Sequence, residues 1–313
     1  MKIFKISVVI PVYDDWESSV QLINEIILFF NKEYRYSIEK IIVVNDASQI
    51  PSPVELIDNE FIKIINLSTN LGHQRSIAIG LCYVYNNLVD SKYIIVMDSD
   101  GEDKPSDISS LLNKAYDSKD DIVFAKRTKR SESLSFKLNY FIYKKVFKIL
   151  TNTEISFGNF CVIPFSKIQN IISNPDLWNH FSASIIKSRL KFTTLSTERG
   201  YRYFGKSKMN FTNLVTHGLS SISIFIDIII VRLLVLNVIA VLISLSTLLS
   251  LFLIKVFSSY QIPGWTPVYT LAIFNILIFS LIFTLLLVLI QLNIRSVVKK
   301  PPKSYYNDFI LDE

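Results

Sequence analysis

Apolar positions follow two rhythms along the first two thirds of the chain. Lys5 to Val12, Ile41 to Val44, Ile62 to Leu67 and Tyr93 to Met97 are short runs rich in β-branched residues and read as buried strands. Between them, Glu17 to Asn31 puts Val20, Ile23, Ile27 and Phe30 on one helical face, and Ser76 to Leu88 is a second helix. Strand, helix, strand, strand, helix, strand predicts an α/β fold with a mainly parallel sheet. Further on, the pattern predicts a helix over Pro105 to Tyr116 capped by Ser106 or Asp107, and a strand over Asp121 to Ala125. Leu134 to Leu150 sets Leu138, Phe141, Ile142 and Val146 against Lys137, Lys144, Lys145 and Lys148 as an amphipathic helix. A strand opens at Phe157 to Cys161, Asp176 to Arg189 is helical in part, Phe192 to Ser196 is a strand, and Asn210 to Asp227 is a helix.

The rhythm then disappears. No residue from Leu233 to Ile254, or from Pro267 to Ile294, carries a charge. Each run is long enough to cross about 30 Å of hydrocarbon as a helix. Two transmembrane helices are predicted, at about 231–254 and 267–292, joined by a short loop with Pro263-Gly264. Arg232 precedes the first, and Arg295, Lys299 and Lys300 follow the second; the positive-inside rule puts both flanks in the cytosol, with Lys255 alone dissenting. Tyr260, Trp265 and Tyr269 suit an aromatic belt at the outer interface. The predicted domains are 1–209, an interfacial amphipathic helix at 210–228, the hairpin within 229–294 and a cytosolic tail at 295–313. The N-terminus lacks the pattern of a cleaved signal, so the large domain is expected to stay in the cytosol.

Half the residues are hydrophobic, and the apolar runs account for the excess. The net charge of +6 is modest, but Lys126 to Lys148 holds eight Lys/Arg against one Glu. That cluster suggests a face towards anionic lipid or phosphate, with nucleic acid disfavoured in a membrane-anchored chain. Cys82 and Cys161 sit in apolar contexts without metal-ligand spacing and read as reduced core residues. The Tyr93–Met97 strand ends in Asp98-Ser99-Asp100-Gly101-Glu102-Asp103. Four acids in six residues repel one another, and Mg²⁺ or Mn²⁺ is the simplest offset for an oxygen-only ligand set. Tyr13, Asp46, Asn70 and Asp98 all fall at strand ends, where parallel sheets bind ligands.

The ordered motifs I-P-V-Y-D (10–14), V-N-D-A-S (44–48), N-L-G-H-Q-R (70–75), D-S-D-G-E-D (98–103), A-K-R (125–127), G-N-F (158–160) and G-K-S-K (205–208), followed by two spans, resemble the family-2, GT-A-fold glycosyltransferases. Within that family the chain is similar to the membrane-bound polyprenyl-phosphate branch. The resemblance implies an inverting, metal-dependent transferase of cell-envelope polysaccharide synthesis. It would move one sugar from a nucleotide-diphosphate sugar to a polyprenyl phosphate, with its catalytic domain on the cytosolic face of a bacterial-type plasma membrane. It implies a nucleotide-sugar site of Pro11, Tyr13, Asp14, Asp46, Gly72, Arg75, Asp98 and Ser99, and a metal held by Asp98, Asp100 and Glu102. Arg127, Arg199, Arg202, Lys206, Ser207 and Lys208 would hold phosphate or acceptor.

Gly158-Asn159-Phe160 stands where related enzymes usually have Gly-Asp-Phe, and Asn159 cannot accept a proton near neutral pH. A lipid-phosphate acceptor is already an anion and needs no strong base. A glycolipid or lipid-linked glycan hydroxyl needs one, for which Asp103 is the candidate. His73 has two readings, a residue near the donor or a hydrogen-bonded structural histidine, and the second is preferred. None of Trp16, Trp178 and Trp265 follows Gln-x-x-Arg, the mark of the processive synthases. A rival of another class is a non-catalytic membrane scaffold with a decayed transferase domain. The spans leave room for a homo-oligomer, although the scarcity of Gly gives no clear dimer motif.

Overall fold

The computed structural model describes residues 3–127, 145–153, 157–205, 211–257 and 264–311, with the side chains of 211–214, 265 and 266 left aside. The chain divides into two units: residues 1–145, 153–224 and 300–313 form the first, and 146–152 with 225–299 the second.

The first unit is built on a seven-stranded sheet. Its strands are β1 (Phe4–Val12), β2 (Tyr36–Asn45), β3 (Ile62–Asn66), β4 (Tyr93–Val96), β5 (Ile122–Arg127), β6 (Cys161–Pro164) and β7 (Phe192–Thr197). The order across the sheet is β3-β2-β1-β4-β6-β5-β7. Neighbours are parallel except β6, which runs antiparallel to β4 and β5. The prediction of a mainly parallel α/β sheet holds.

Helices cover both faces: α1 (Trp16–Phe30), the short α2 (Val54–Ile57), α3 (His73–Asn87), α4 (Ile108–Asp117), α5 (Phe165–Ile172) and α6 (Phe181–Lys187). Alternate residues of each central strand feed opposite cores. Val8, Ile10, Ile41, Val43 and Ile95 pack under α1 and α4, while Val9, Ile42, Val44, Ile94 and Val96 pack under α3. Such near-continuous Val/Ile runs are what burial on two faces requires. Gly80 lets α3 approach closely: a Cβ there would lie 2.5 Å from Val9 Cγ1.

Pro105–Asp107 is a 3₁₀ turn, and the helix proper begins at Ile108; neither Ser106 nor Asp107 supplies a side-chain cap. Proline fits a first turn because its missing N–H would have had no partner there. Periodicity gave no notice of α2 or α5. Most of the amphipathic stretch 134–150 lies outside the described residues. Helix α7 (Phe211–Ser223) follows β7 and belongs to this unit.

The segment after the hairpin also belongs here. It forms two 3₁₀ turns, Pro302–Ser304 and Tyr306–Phe309, and lies beside β3. Phe309 O accepts the Ser68 N–H and the Leu311 N–H donates to Asn66 O, each at 2.9 Å, with a bridge between Leu67 and Ile310. Tyr306 is buried, and its hydroxyl accepts a hydrogen bond from Asn86 Nδ2 at 2.6 Å. Tyr305 and Phe309 pack on Trp178, with ring centroids 5.2 and 5.4 Å away.

The second unit is two long apolar helices, α8 (Ile226–Phe257) and α9 (Trp265–Ser296). Both are long and apolar enough to be candidate membrane spans. Leu236, Phe252, Phe279 and Leu289 are among the many large apolar side chains that point outward, so the pair does not have the buried surface of a soluble core. Asn237 Nδ2 donates across the pair to Ser280 O (2.9 Å) and Thr284 Oγ1 (2.5 Å), and Gln291 Nε2 to Asp227 Oδ1 (2.8 Å).

Candidate active site

Because β1, β2, β3 and β4 are parallel, the loops after Val12, Asn45, Asn66 and Val96 leave the same edge of the sheet. Asn45 organises the second loop. Its side chain accepts the Ser48 N–H (3.0 Å) and donates to Asn66 Oδ1 (2.9 Å). Asp46 is buried, and its two carboxylate oxygens accept the N–H groups of Leu71 (2.7 Å) and Gly72 (2.9 Å). This holds the turn that launches α3, with Gly72 at φ 88°. Burial pushes the Asp46 carboxyl up, against those two N–H groups. Asp14 accepts the N–H groups of Gln49 (2.7 Å) and Ile50 (3.1 Å), tying the first loop to the second. Pro11 is buried in β1 and Tyr13 is exposed. Arg75 extends from α3 over the ring of Trp178, with its Cζ 5.6 Å from the centroid.

The acidic turn after β4 is braced by the segment after β7. Glu102 O accepts the Gly200 N–H (2.8 Å), and Asp100 O accepts the Tyr203 N–H (3.1 Å). Three guanidinium groups and an imidazole face the four acids. Arg127 Nη2 donates to Asp103 Oδ1 (3.0 Å) and lies 4.0 Å from Asp98 Oδ2, and Arg127 Nη1 lies 3.9 Å from Glu102. Arg199 pairs with Glu102. Arg202 donates to Asp100 Oδ2 (3.2 Å) and to Asp15. His73 Nε2 stands 3.1 Å from Asp98 Oδ1. Asp103 is 3% exposed, its oxygens taken by Arg127 and by the Asp98 N–H at 3.1 Å. That is the geometry of an anchor, not of an open base.

The electrostatics follow from this crowding. Desolvation opposes ionisation of Asp98, but His73 and Arg127 hold it down. Burial, then the charges of Asp98 and Glu102, push Asp100 up to about 6. Burial, then Asp98, push Asp103 upward. Desolvation opposes a charge on His73, and Asp98, Asp100 and Asp103 together more than offset it.

Among the described residues, no three acid, histidine or cysteine side chains converge as a ready-made metal cluster. Two observations nevertheless fit a divalent cation. Asp98 Oδ1 is buried, and beyond the His73 imidazole 3.1 Å away no protein donor among the described residues serves it. Burial first, and then the charges of Asp98 and Glu102, disfavour the neighbouring Asp100 carboxylate, and a cation would relieve the like-charge part. Carboxylate oxygens are the donors that Mg²⁺ and Mn²⁺ prefer.

Asn159 lies at the other side of Asp98. Its Nδ2 is 2.9 Å from His73 Nε2, and its Oδ1 lies 3.4 Å from both Gln74 Nε2 and Ser182 Oγ. Gln74 Oε1 in turn accepts the Phe181 N–H at 2.7 Å. The structure thus gathers Asp14, Asp46, Gly72, Asp98, Asp100, Glu102, Asp103, Arg127, Asn159, Arg199 and Arg202 along one edge. Ser99 sits in the same turn. Lys206, Ser207 and Lys208 lie outside the described residues. Sequence reasoning gave no role to Asp15, Gln74 or Tyr203. Tyr203 donates to Glu25 at 2.6 Å, and its ring lies against Gly101. No spacing rule marks such long-range partners.

Comparison with known proteins decides the family. The model for glycosyl transferase family 2 matches residues 7–171, over half of the chain. The chain belongs to glycosyl transferase family 2. It is 26% identical over 227 residues to an uncharacterised glycosyltransferase of Synechocystis, covering 71% of this chain and 69% of that one. It is 33% identical over 137 residues to the undecaprenyl-phosphate 4-deoxy-4-formamido-L-arabinose transferase of Proteus mirabilis, covering 42% of this chain and 40% of that enzyme. The chain therefore spans less than half of that named relative. Among solved structures, the glucosyl-3-phosphoglycerate synthase of Mycobacterium tuberculosis, solved with Mn²⁺, UDP and product, superposes with a TM-score of 0.50 at 11% identity, covering 72% of this chain and 80% of that one. That likeness is one of fold. As a family-2 member the protein is a glycosyltransferase with a GT-A fold.

Proposed function

We propose that this transferase moves a single sugar from a nucleotide-diphosphate sugar to a polyprenyl phosphate at the cytosolic face of a membrane that α8 and α9 span. The observation that carries the reading is the acid–arginine cluster of Asp98, Asp100, Arg127 and Arg202 at the sheet edge, in a chain that goes on to two outward-apolar helices. The Proteus relative is named for transfer to undecaprenyl phosphate, which supports the acceptor class.

In this reading the Asp46–Gly72 turn frames the nucleoside end of the donor, and Asp98, Asp100 and Glu102 hold Mg²⁺ or Mn²⁺. A cation there supplies charge neutralisation for the departing diphosphate. Arg127 and Arg202 are already partnered by carboxylates. A donor diphosphate would compete for guanidinium groups fixed in place, so little reorganisation is needed. Asn159 orients the acceptor by hydrogen bonds, and a phosphate acceptor requires no proton to be removed. A glycolipid hydroxyl acceptor is the second reading. Against it, Asp103 is closed off by Arg127 and the Asp98 N–H.

The test is transfer from a panel of labelled nucleotide sugars to undecaprenyl phosphate, using the full chain in detergent with Mg²⁺, Mn²⁺ or chelator, and Asp100→Ala alongside. A phosphate-linked lipid product that disappears with chelator and in the variant is expected. Metal-dependent donor binding with no lipid product would favour the glycolipid acceptor. Neither binding nor product across the panel would favour a scaffold.

A further inference from the structure

The chain has three histidines, and the fold brings all of them within electrostatic reach of one another. His73 stands at Asp98. His180 directly precedes α6, and its Nδ1 accepts the Ala183 N–H at 3.4 Å. His217 lies on α7, and its ring centroid is 4.5 Å from that of His180. His180 is only 5% exposed, and no carboxylate pairs with either ring among the described residues. The joint around them is firmly made. Asn179 Nδ2 donates to Ser220 O (3.2 Å) and Ser223 Oγ (2.6 Å), and Lys187 donates to Ile224 O (2.6 Å), so α7 is fastened to the segment that carries His180. Gln74 reaches both Asn159 and Phe181, which ties that segment to the acidic centre.

A close imidazole pair with one ring buried and the other half-buried, and no acid paired to either, is an unusual arrangement. Burial, then the charges of His217 and His73, hold His180 down to about 3; burial and His73 lower His217, against a smaller opposing pull from Asp98. Both shifts favour the uncharged ring. The rings bear N–H groups that become strong, charge-assisted donors only when an anion arrives. Elsewhere around the centre, Arg127, Arg199 and Arg202 are each engaged by carboxylates. In sequence, α7 is the last helix of the first unit before the apolar helices begin.

We propose that His180 and His217 form the acceptor subsite and bind its phosphate monoester. This rests on the reading that the acceptor is a lipid phosphate. The pair accepts the phosphate of the incoming lipid, while the arginines of the acidic turn serve the donor.

The experiment measures binding of a water-soluble short-chain prenyl phosphate, the corresponding prenyl alcohol and inorganic phosphate to the full chain in detergent. Two variants preserve packing: His217→Phe keeps the ring contact, and His180→Asn keeps a side-chain acceptor for the Ala183 N–H. Loss of a charged hydrogen bond predicts prenyl phosphate affinity lower by about tenfold or more in each variant. Nucleoside diphosphate affinity should stay at the parent level. Competition by inorganic phosphate in the parent, lost in the variants, supports recognition of the phosphate group. Parent-like prenyl phosphate affinity in both folded variants overturns the proposal, and so does an equal loss for the alcohol, which would reveal a packing role. Histidine-dependent phosphate binding without sugar transfer would leave the subsite standing and remove the acceptor reading. Transfer with an unchanged acceptor KM in both variants would do the reverse.

Discussion

Arg127 offers the sharpest test of how the acidic turn is held. It is 23% exposed and bonds at 3.0 Å to Asp103, which is 3% exposed. Arg127→Met keeps the length of the stem and removes the charge. Breaking a buried ion pair by deleting one partner costs about 3–5 kcal/mol, because the other charge stays behind unpaired. Here the lower end applies. Asp103 already has a raised pKa, so it escapes part of the cost by taking a proton. About 3 kcal/mol in a unit of this size corresponds to a melting temperature lower by roughly 6–12 °C. Asp103→Asn in the same background removes the stranded charge and should restore about half the loss or more. The assay is thermal unfolding of the purified full chain in detergent for parent, both single variants and the double variant. Additive effects, or a shift under about 2 °C in Arg127→Met, would refute the reasoning, since a true pair must be coupled.

Four further outcomes follow from the same structure. Gly101 has φ 85°, and a Cβ there would lie 2.2 Å from Tyr203 Cε2, so Gly101→Ala should destabilise by about 2–4 kcal/mol through strain and displacement of the Tyr203 ring, read as a lower melting temperature. His180 has a folded pKa below its unfolded value, so the folded state takes up fewer protons and loses stability as pH falls below 6.5, by up to about 1.4 kcal/mol per pH unit. Melting curves from pH 7 to pH 5 should fall less steeply in His180→Asn, and identical slopes would count against a neutral buried ring. Cys82 and Cys161 are fully buried, and burial pushes the Cys82 thiol up to about 12 and raises Cys161 as well. Neither should react with a thiol reagent in the native protein, and both should after denaturation. Tyr306→Phe removes the hydrogen bond from Asn86 and should cost about 1 kcal/mol, with faster amide exchange at Leu67 and Ser68 as the local readout.

What the sequence showed, it showed through burial. β1 and β4 are legible because strands covered on both faces must be continuously apolar, and the unbroken runs of α8 and α9 are legible for a similar reason. Asp98 and Asp100 could be placed at a strand end because the strand before them was unmistakable. The partners of those acids were another matter. The loop carrying Asp15, the start of α3 carrying His73 and Gln74, and the segment carrying Arg199 to Tyr203 meet only through the sheet order. A sequence lists charges without saying which ones face each other. The expectation that a metal ion offsets the acidic turn left out the three arginines and the histidine already in place. Helix α5 escaped notice because eight residues show too little of a 3.6-residue period, and the 3₁₀ turns beside β3 carry no period at all.

That last segment sets an order of events. A chain leaves the ribosome N-terminus first. The final hydrogen bonds along β3, from Phe309 and Leu311, come from residues translated after both apolar helices. While those helices are emerging, the β3 edge is still open and Tyr306 does not yet exist to fill its place against α3. The catalytic unit is finished only once the hairpin has been made and its far end has come back. A nascent chain stalled in mid-hairpin would therefore carry a first unit whose β3 edge still lacks its last hydrogen-bond partners.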